Sequence, residues 1–220
     1  MSLRTAIKRM ILPTKPRIVT IPFGLYRGVR LKIDFQTQSQ FYLGLYEPET
    51  NRAIRSVLHR AKWIIDIGAG MGELSILFKR LGATVVAVEP WASNYPIYEN
   101  VRANNFNLEE ISFVEKYVGN KQEGYIALDA IQVDHSSFGF IKIDVDGGEL
   151  EVLRSGIMLL ANARPALLVE THSIELEQDC IRFLHEFQYC CEIIKNAWWR
   201  RIIPDTGRMN QHNRWFFASG

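Results

Sequence analysis

Apolar positions between residues 63 and 90 change their spacing twice. Ile64, Ile65 and Ile67 form a short continuous run, the pattern of a parallel strand buried on both faces. Leu74, Leu77, Phe78 and Leu81 then recur at i, i+3, i+4 and i+7, one buried helical stripe ended by Gly82. Val85 to Val88 return to the strand pattern. The spacing predicts a strand over 63–67, a helix over 71–81 and a strand over 84–88. The same reasoning extends the alternation through a helix over 92–105, a strand over 111–117 and a looser segment with a short strand near Tyr125. A strand over 138–144 follows, then a helix over 148–160 whose Leu150, Leu153, Ile157 and Leu160 keep helical spacing. A strand over 165–170, a helix over 175–187 and strands over 189–195 and 213–218 complete the series. Ahead of it, residues 17–34 alternate loosely around Phe23-Gly24 and Arg27-Gly28, predicting a hairpin, and a helix is expected near 48–60.

Strands alternating with helices at these lengths specify an α/β chain with a mostly parallel sheet covered on both faces. The last two strands, joined without a helix, are expected as an antiparallel hairpin at one edge. The chain divides into an amino-terminal hairpin and helix cap over 1–60, on the substrate side, and a core over 61–220, together one compact domain. At 220 residues and 47% hydrophobic, it can bury an ordinary globular core.

No apolar run approaches the ~20 residues that span a bilayer. The amino end, MSLRTAIKRMILPTKP, lacks a sustained apolar stretch and a cleavage site, so the expected location is cytoplasmic. Cys180, Cys190 and Cys191 have no metal-ligand spacing and are read as small core residues. Net charge is only +2, but residues 1–33 carry eight Lys or Arg and no acid, and the stretch 34–194 carries a net of −10. Basic ends can attract an anionic partner, although solvated termini account for them as well.

The turn after the first core strand carries chemistry. Gly68, Gly70 and Gly72 let the backbone bend tightly and approach a ligand closely. Glu89 ends the next strand, at the sheet edge where open α/β folds bind ligands, and can accept hydrogen bonds from both hydroxyls of a ribose. A dinucleotide site has G-x-G-x-x-G facing a pyrophosphate, whereas this chain has G-x-G-x-G. Asp66, two residues before the first glycine, would repel a pyrophosphate and attract an ammonium. These features favour S-adenosylmethionine, which carries an amino acid and no phosphate, over NAD.

A second group lies in IKIDVDGGE, where Asp144 ends a strand predicted to lie beside the glycine turn. It could orient the donor, hold a metal or take a proton. Asp146 is read as a helix cap, and Glu149 as a first-turn acid favoured by the helix dipole. The next strand ends in LLVETHS, whose Glu170 and His172 point to one side and supply further candidate bases. Asp144 with Glu170 could form an oxygen-rich divalent-metal site, although no metal is part of the expectation. His59, His185 and His212 lack partners at ligand spacing, and Asp129 is expected to cap or turn the chain.

In order and spacing, YEPET (46–50), DIGAGMG (66–72), AVEP (87–90), ENVRANN (99–105), LDAI (128–131), IKIDVDGGELEVLRSG (141–156) and PALLVETH (165–172) resemble the FkbM family of S-adenosylmethionine-dependent methyltransferases. The resemblance implies a Rossmann-like class I fold with a seven-stranded sheet, and O-methylation of a hydroxyl on a small molecule, sugar or natural product. By position, Asp66, Gly68, Ala69, Gly70 and Gly72 would hold the methionine part. Glu89 and Pro90 would hold the ribose, Trp91 with Val118, Gly119 and Asn120 the adenine surroundings, and Asp144 would border the donor. Asp146 and Gly148 depart from the family run Asp-Val-Glu-Gly-Ala-Glu. The prolines and aromatic residue that amine-methylating enzymes present at this strand end are absent. Two other readings remain open: an RNA methyltransferase using the basic ends with Trp198, Trp199, Arg200 and Arg201, and a nucleoside-binding module without turnover.

Overall fold

The computed structural model describes residues 13–120, 123–196 and 214–220. The chain enters through β1 (Arg17–Thr20) and β2 (Arg30–Ile33), an antiparallel pair, then α1 (Phe35–Leu43) and α2 (Asn51–Val57). The core continues with β3 (Trp63–Ile67), α3 (Glu73–Arg80), β4 (Thr84–Val88), α4 (Ile97–Ala103) and β5 (Ser112–Val114). Two short strands, β6 (Tyr117–Val118) and β7 (Tyr125–Ile126), pair with each other in parallel. Then come β8 (Gly139–Ile143), α5 (Glu149–Arg154), α6 (Ile157–Asn162), β9 (Ala166–Thr171), α7 (Ile174–Glu186), β10 (Cys190–Ile194) and β11 (Arg214–Ser219). The main sheet has seven strands in the order β10-β11-β9-β8-β3-β4-β5. Its strands from β9 to β5 are parallel neighbours, and β11 runs antiparallel between β9 and β10. This is the Rossmann-like arrangement expected, with the edge hairpin in place.

Strand alternation sends side chains into two cores. Ile64, Phe140 and Leu168 pack with α2, α3, α4 and the β1–β2 hairpin, while Ile65, Ile141 and Val169 pack with α5, α6 and α7. The hairpin is fixed to the core by two asparagines one helical turn apart. Asn104 exchanges hydrogen bonds with the backbone of Arg30 (2.9 and 2.7 Å). Asn100, fully buried, accepts from Lys32 N at 2.7 Å and donates to Met71 O at 2.9 Å. The ENVRANN stretch therefore acts as a strand-like edge for the hairpin and steadies the glycine turn.

Several boundaries differ from expectation. The α1 helix was not anticipated, because its apolar pattern is weak: Phe35 and Phe41 are its buried residues, and it is kinked at Gln38. Its capping was legible, with Asp34 accepting from Gln36 N and Gly44 closing it in the left-handed region. The helix expected over 148–160 is two helices. The 127–131 turn wedges against the break: Leu128 N donates to Ser155 Oγ, and the Asp129 carboxylate accepts from Met158 N and Leu159 N at 3.0 and 2.8 Å. Asp129 is thus the capping residue expected of it, acting across the fold. Pro96 delays α4 to Ile97, and β5 stops at Val114. Cys180 is buried as expected, but Cys190 is exposed and Cys191 only partly buried, since both lie on the outer strand β10.

Candidate functional site

At the carboxyl ends of β3 and β4 the backbone itself builds a cradle. Gly68 adopts φ 77°, and a Cβ there would lie 1.9 Å from the carbonyl oxygen of Asp144, so only glycine lets the turn pass β8. At Gly70 a Cβ would meet nothing within 4 Å, which marks the open side of the turn. Glu89 is held from both sides: Gly70 N donates to Oε2 at 3.1 Å and Trp91 N to Oε1 at 3.0 Å. Both oxygens keep a lone pair for a diol. Beyond Glu89 the exposed Trp91 meets Tyr117 edge-on, and Tyr117 stacks on Tyr125, forming an aromatic wall beside Val118, Gly119 and Asn120.

Asp66 is 1% exposed, and its Oδ2 accepts from Ser75 Oγ at 2.6 Å and Ser75 N at 3.1 Å. It ties the turn to α3, a structural role the sequence did not suggest. Its Oδ1 has no hydrogen-bond partner among the described residues, nor does Oε2 of the neighbouring buried Glu73. Burial raises the pKa of Asp66 and lifts that of Glu73 to about 8.

Lys142, inside the otherwise apolar β8, is the charged partner of this region and was missed from sequence. A lysine in a fully buried strand was itself the available signal. It pairs in register with Asp66, and its ammonium lies 2.9 Å from Asp144 Oδ2 and 5.7 Å from the Trp215 ring centroid. Burial alone would lower its pKa, but the field of Asp144, Asp66, Glu47 and Glu73 overrides that and raises it. Four acidic side chains thus favour its charged form, Glu73 only once it has lost its proton. Glu47 sits in the left-handed region at φ 40° directly before Pro48, a strained conformation for a non-glycine residue.

Asp144, Glu170 and His172 come together as expected, each offering one ligand atom within 4.8 Å of the others. Such a set could hold a divalent cation, although the Lys142 ammonium already occupies the flank of Asp144. Of the two expectations for the neighbouring acids, one is overturned and the other holds in position only. Asp146 does not cap α5, whose N-cap is Gly148 without a side-chain bond; its side chain is fully exposed, with Oδ1 3.6 Å from His172 Nε2. Glu149 stands in the first turn of α5 as expected, but it is fully buried there, with Oε1 2.7 Å from His172 Nδ1. That bond, with burial opposing it, raises the His172 pKa. Its partner lies 23 residues further along, in the next βα unit, so no local pattern announces it. His59 and His185 are exposed. His212 and the Trp198 to Arg201 stretch lie outside the described residues.

The parallel sheet, the antiparallel β11 set next to its edge and the glycine turn at its carboxyl rim define the Rossmann-like class I fold of S-adenosylmethionine-dependent methyltransferases. Residues 66–197 match the methyltransferase FkbM domain, and the chain belongs to that family. Among solved structures it is similar to the FkbM methyltransferase from Methylobacillus flagellatus, at 20% identity and TM-score 0.56 over 72% of this chain and 43% of that one. It therefore spans less than half of that protein. It is similar to precorrin-6y C5,15-methyltransferase from Geobacter metallireducens, at 18% identity and TM-score 0.50, covering 78% of this chain and 90% of that one. A S-adenosylmethionine-dependent O-methyltransferase from Thermotoga maritima shares 13% identity at TM-score 0.50, covering 79% and 65%. No curated protein matches the chain. Among the described residues no helix is long and apolar enough to cross a membrane.

Proposed function

We propose that this methyltransferase moves the methyl group of S-adenosylmethionine to a hydroxyl of a small molecule, sugar or natural product. The observation that carries the donor assignment is the acid beside the glycine turn: Asp66 is buried there, and its Oδ1 has no hydrogen-bond partner among the described residues. Such a pocket suits a ligand bearing an ammonium and a sulfonium and disfavours a diphosphate. The donor fits on the protein's own terms. Asp66 Oδ1 is a buried acceptor without a hydrogen-bond partner among the described residues, Gly70 leaves open space, and Glu89 keeps a lone pair on each pinned oxygen. In this reading Asp66 and the turn from Gly68 through Ala69 and Gly70 to Gly72 hold the methionine part. Glu89 and Pro90 hold the ribose, and Trp91 with Val118 to Asn120 flanks the adenine.

When bound, the donor supplies an electrophilic methyl group. The chain's residues orient the acceptor oxygen in line with it, which provides much of the rate, and receive the hydroxyl proton. Asp144, Glu170 and His172 border the acceptor side and are the groups available for that proton. Support for oxygen as the acceptor comes from the β8 exit, where Asp144-Val145-Asp146-Gly147 offers no proline pair or ring to stack a base.

Calorimetry with S-adenosylmethionine, S-adenosylhomocysteine and NAD tests the donor site; the first two should bind and NAD should not. Tritiated methyl transfer into a cell extract, followed by mass spectrometry of the labelled product, tests the acceptor atom. A label on nitrogen or carbon would overturn the hydroxyl reading.

A further inference from the structure

Glu149 begins α5, yet it is fully buried, and the dipole of a six-residue helix is a weak reason to bury a carboxylate. Dipole stabilisation is about 0.3–1 kcal/mol, whereas burying an unpaired carboxylate costs several. Its partner accounts for the placement: Oε1 meets His172 Nδ1 at 2.7 Å, and Gly147 N donates to the same oxygen at 3.3 Å. An ionised carboxylate only accepts, so the ring nitrogen facing it must carry hydrogen. In the neutral imidazole this leaves the lone pair on Nε2. The other groups facing the ring are acidic: Asp144 and Asp146 beyond β8 and Glu170 on β9. On β11, Arg214 lies opposite Thr171 and is engaged by Glu177. Asp144 Oδ2 already accepts from the Lys142 ammonium at 2.9 Å.

We infer that Glu149 is a positioning residue for methyl transfer, holding His172 as the Nδ1–H tautomer so that Nε2 receives the proton of the acceptor hydroxyl. This rests on the hydroxyl reading above. As the hydroxyl oxygen forms its bond to the methyl carbon, the carbon–sulfur bond breaks and its electron pair stays on sulfur as a neutral thioether. The O–H proton passes to Nε2, the imidazolium charge is balanced by Glu149, and the proton then leaves to water.

The test combines 15N spectra of labelled imidazole with tritium transfer from S-adenosylmethionine into the small-molecule fraction of a cell extract. Wild type should show the Nδ1–H signature, and Glu149→Gln should lose it. Turnover of Glu149→Gln should fall at least about a hundredfold while donor affinity stays within about twofold. Glu149→Asp should recover part of both signals, and a Glu149→Gln/His172→Gln double variant should be no slower than His172→Gln alone. If Glu149→Gln fails to fold, Glu149→Asp and His172→Gln carry the comparison. An unchanged tautomer with wild-type turnover, or multiplicative effects in the double variant, would overturn the inference. So would broadening of the Nε2 signal by equimolar Mn2+, which would make that nitrogen a metal ligand. A nitrogen- or carbon-methylated product with the Glu149-dependent tautomer intact would defeat the hydroxyl reading and the proton-transfer role together. Loss of that dependence with an oxygen-methylated product would defeat this inference alone.

Discussion

On the β3–β4 side of the sheet's rim, main-chain groups hold the geometry of the candidate site: Gly70 N and Trp91 N grip Glu89, and Gly68 lets the chain pass beneath Asp144. On the β8–β9 side, side chains hold one another: Lys142 holds Asp144, and Glu149 holds His172. The first mode suits a ligand that never changes, since backbone geometry survives substitution of neighbouring side chains. The second suits proton transfer, since its groups can change charge without moving the backbone.

Substitutions can break this contrast on either side. Gly68→Ala should act most strongly, because its Cβ would collide with backbone rather than with a flexible side chain. We expect a loss of about 3 kcal/mol or more of stability together with donor binding, read by chemical unfolding and calorimetry. Glu89→Ala should leave the fold intact and weaken the donor at least about tenfold, by leaving two ribose hydroxyls unpaired. Unchanged affinity in calorimetry would remove Glu89 from the ribose site.

Glu73 sharpens the comparison through pH. Burial raises its pKa from 4.5 to about 8, so the folded protein keeps a proton that the unfolded chain releases between those values. The associated stability is complete below the unfolded pKa and is lost as pH rises through the folded one. Urea unfolding should therefore show wild type losing on the order of 1–2 kcal/mol from about pH 6 to about pH 9. Glu73→Gln should flatten that decline; an equally steep decline in the variant would assign it to other groups. Smallest is Asp129→Ala, which removes the acceptor for Met158 N and Leu159 N. It should cost about 1 kcal/mol in thermal unfolding, with donor affinity unchanged.

The backbone-held half of the site was legible in the sequence because its parts are local. A strand, a glycine turn, a helix and an acid-tipped strand occupy 28 consecutive residues, 63 to 90, and each element leaves its own periodicity or conformational demand. The side-chain half was legible in membership but not in wiring. Asp144, Glu170 and His172 followed from their places at strand ends. Glu149 did not, because a helix's first turn welcomes an acid whatever it touches, and its true partner is contributed by the following unit. Lys142 was hidden by the apolar run around it. The α1 helix was missed for a related reason: with few buried positions it leaves caps but little stripe.

The place of β11 in the sheet sets an order on assembly. Threaded between β9 and β10, it gives β10 its neighbour and brings Trp215 over Lys142. β10 therefore has no strand partner until a segment about twenty residues further along joins the sheet, and the Lys142 ammonium lacks its aromatic face until then. Loss of this one strand would therefore remove two things at once, the partner of β10 and the ring over the ammonium beside Asp144.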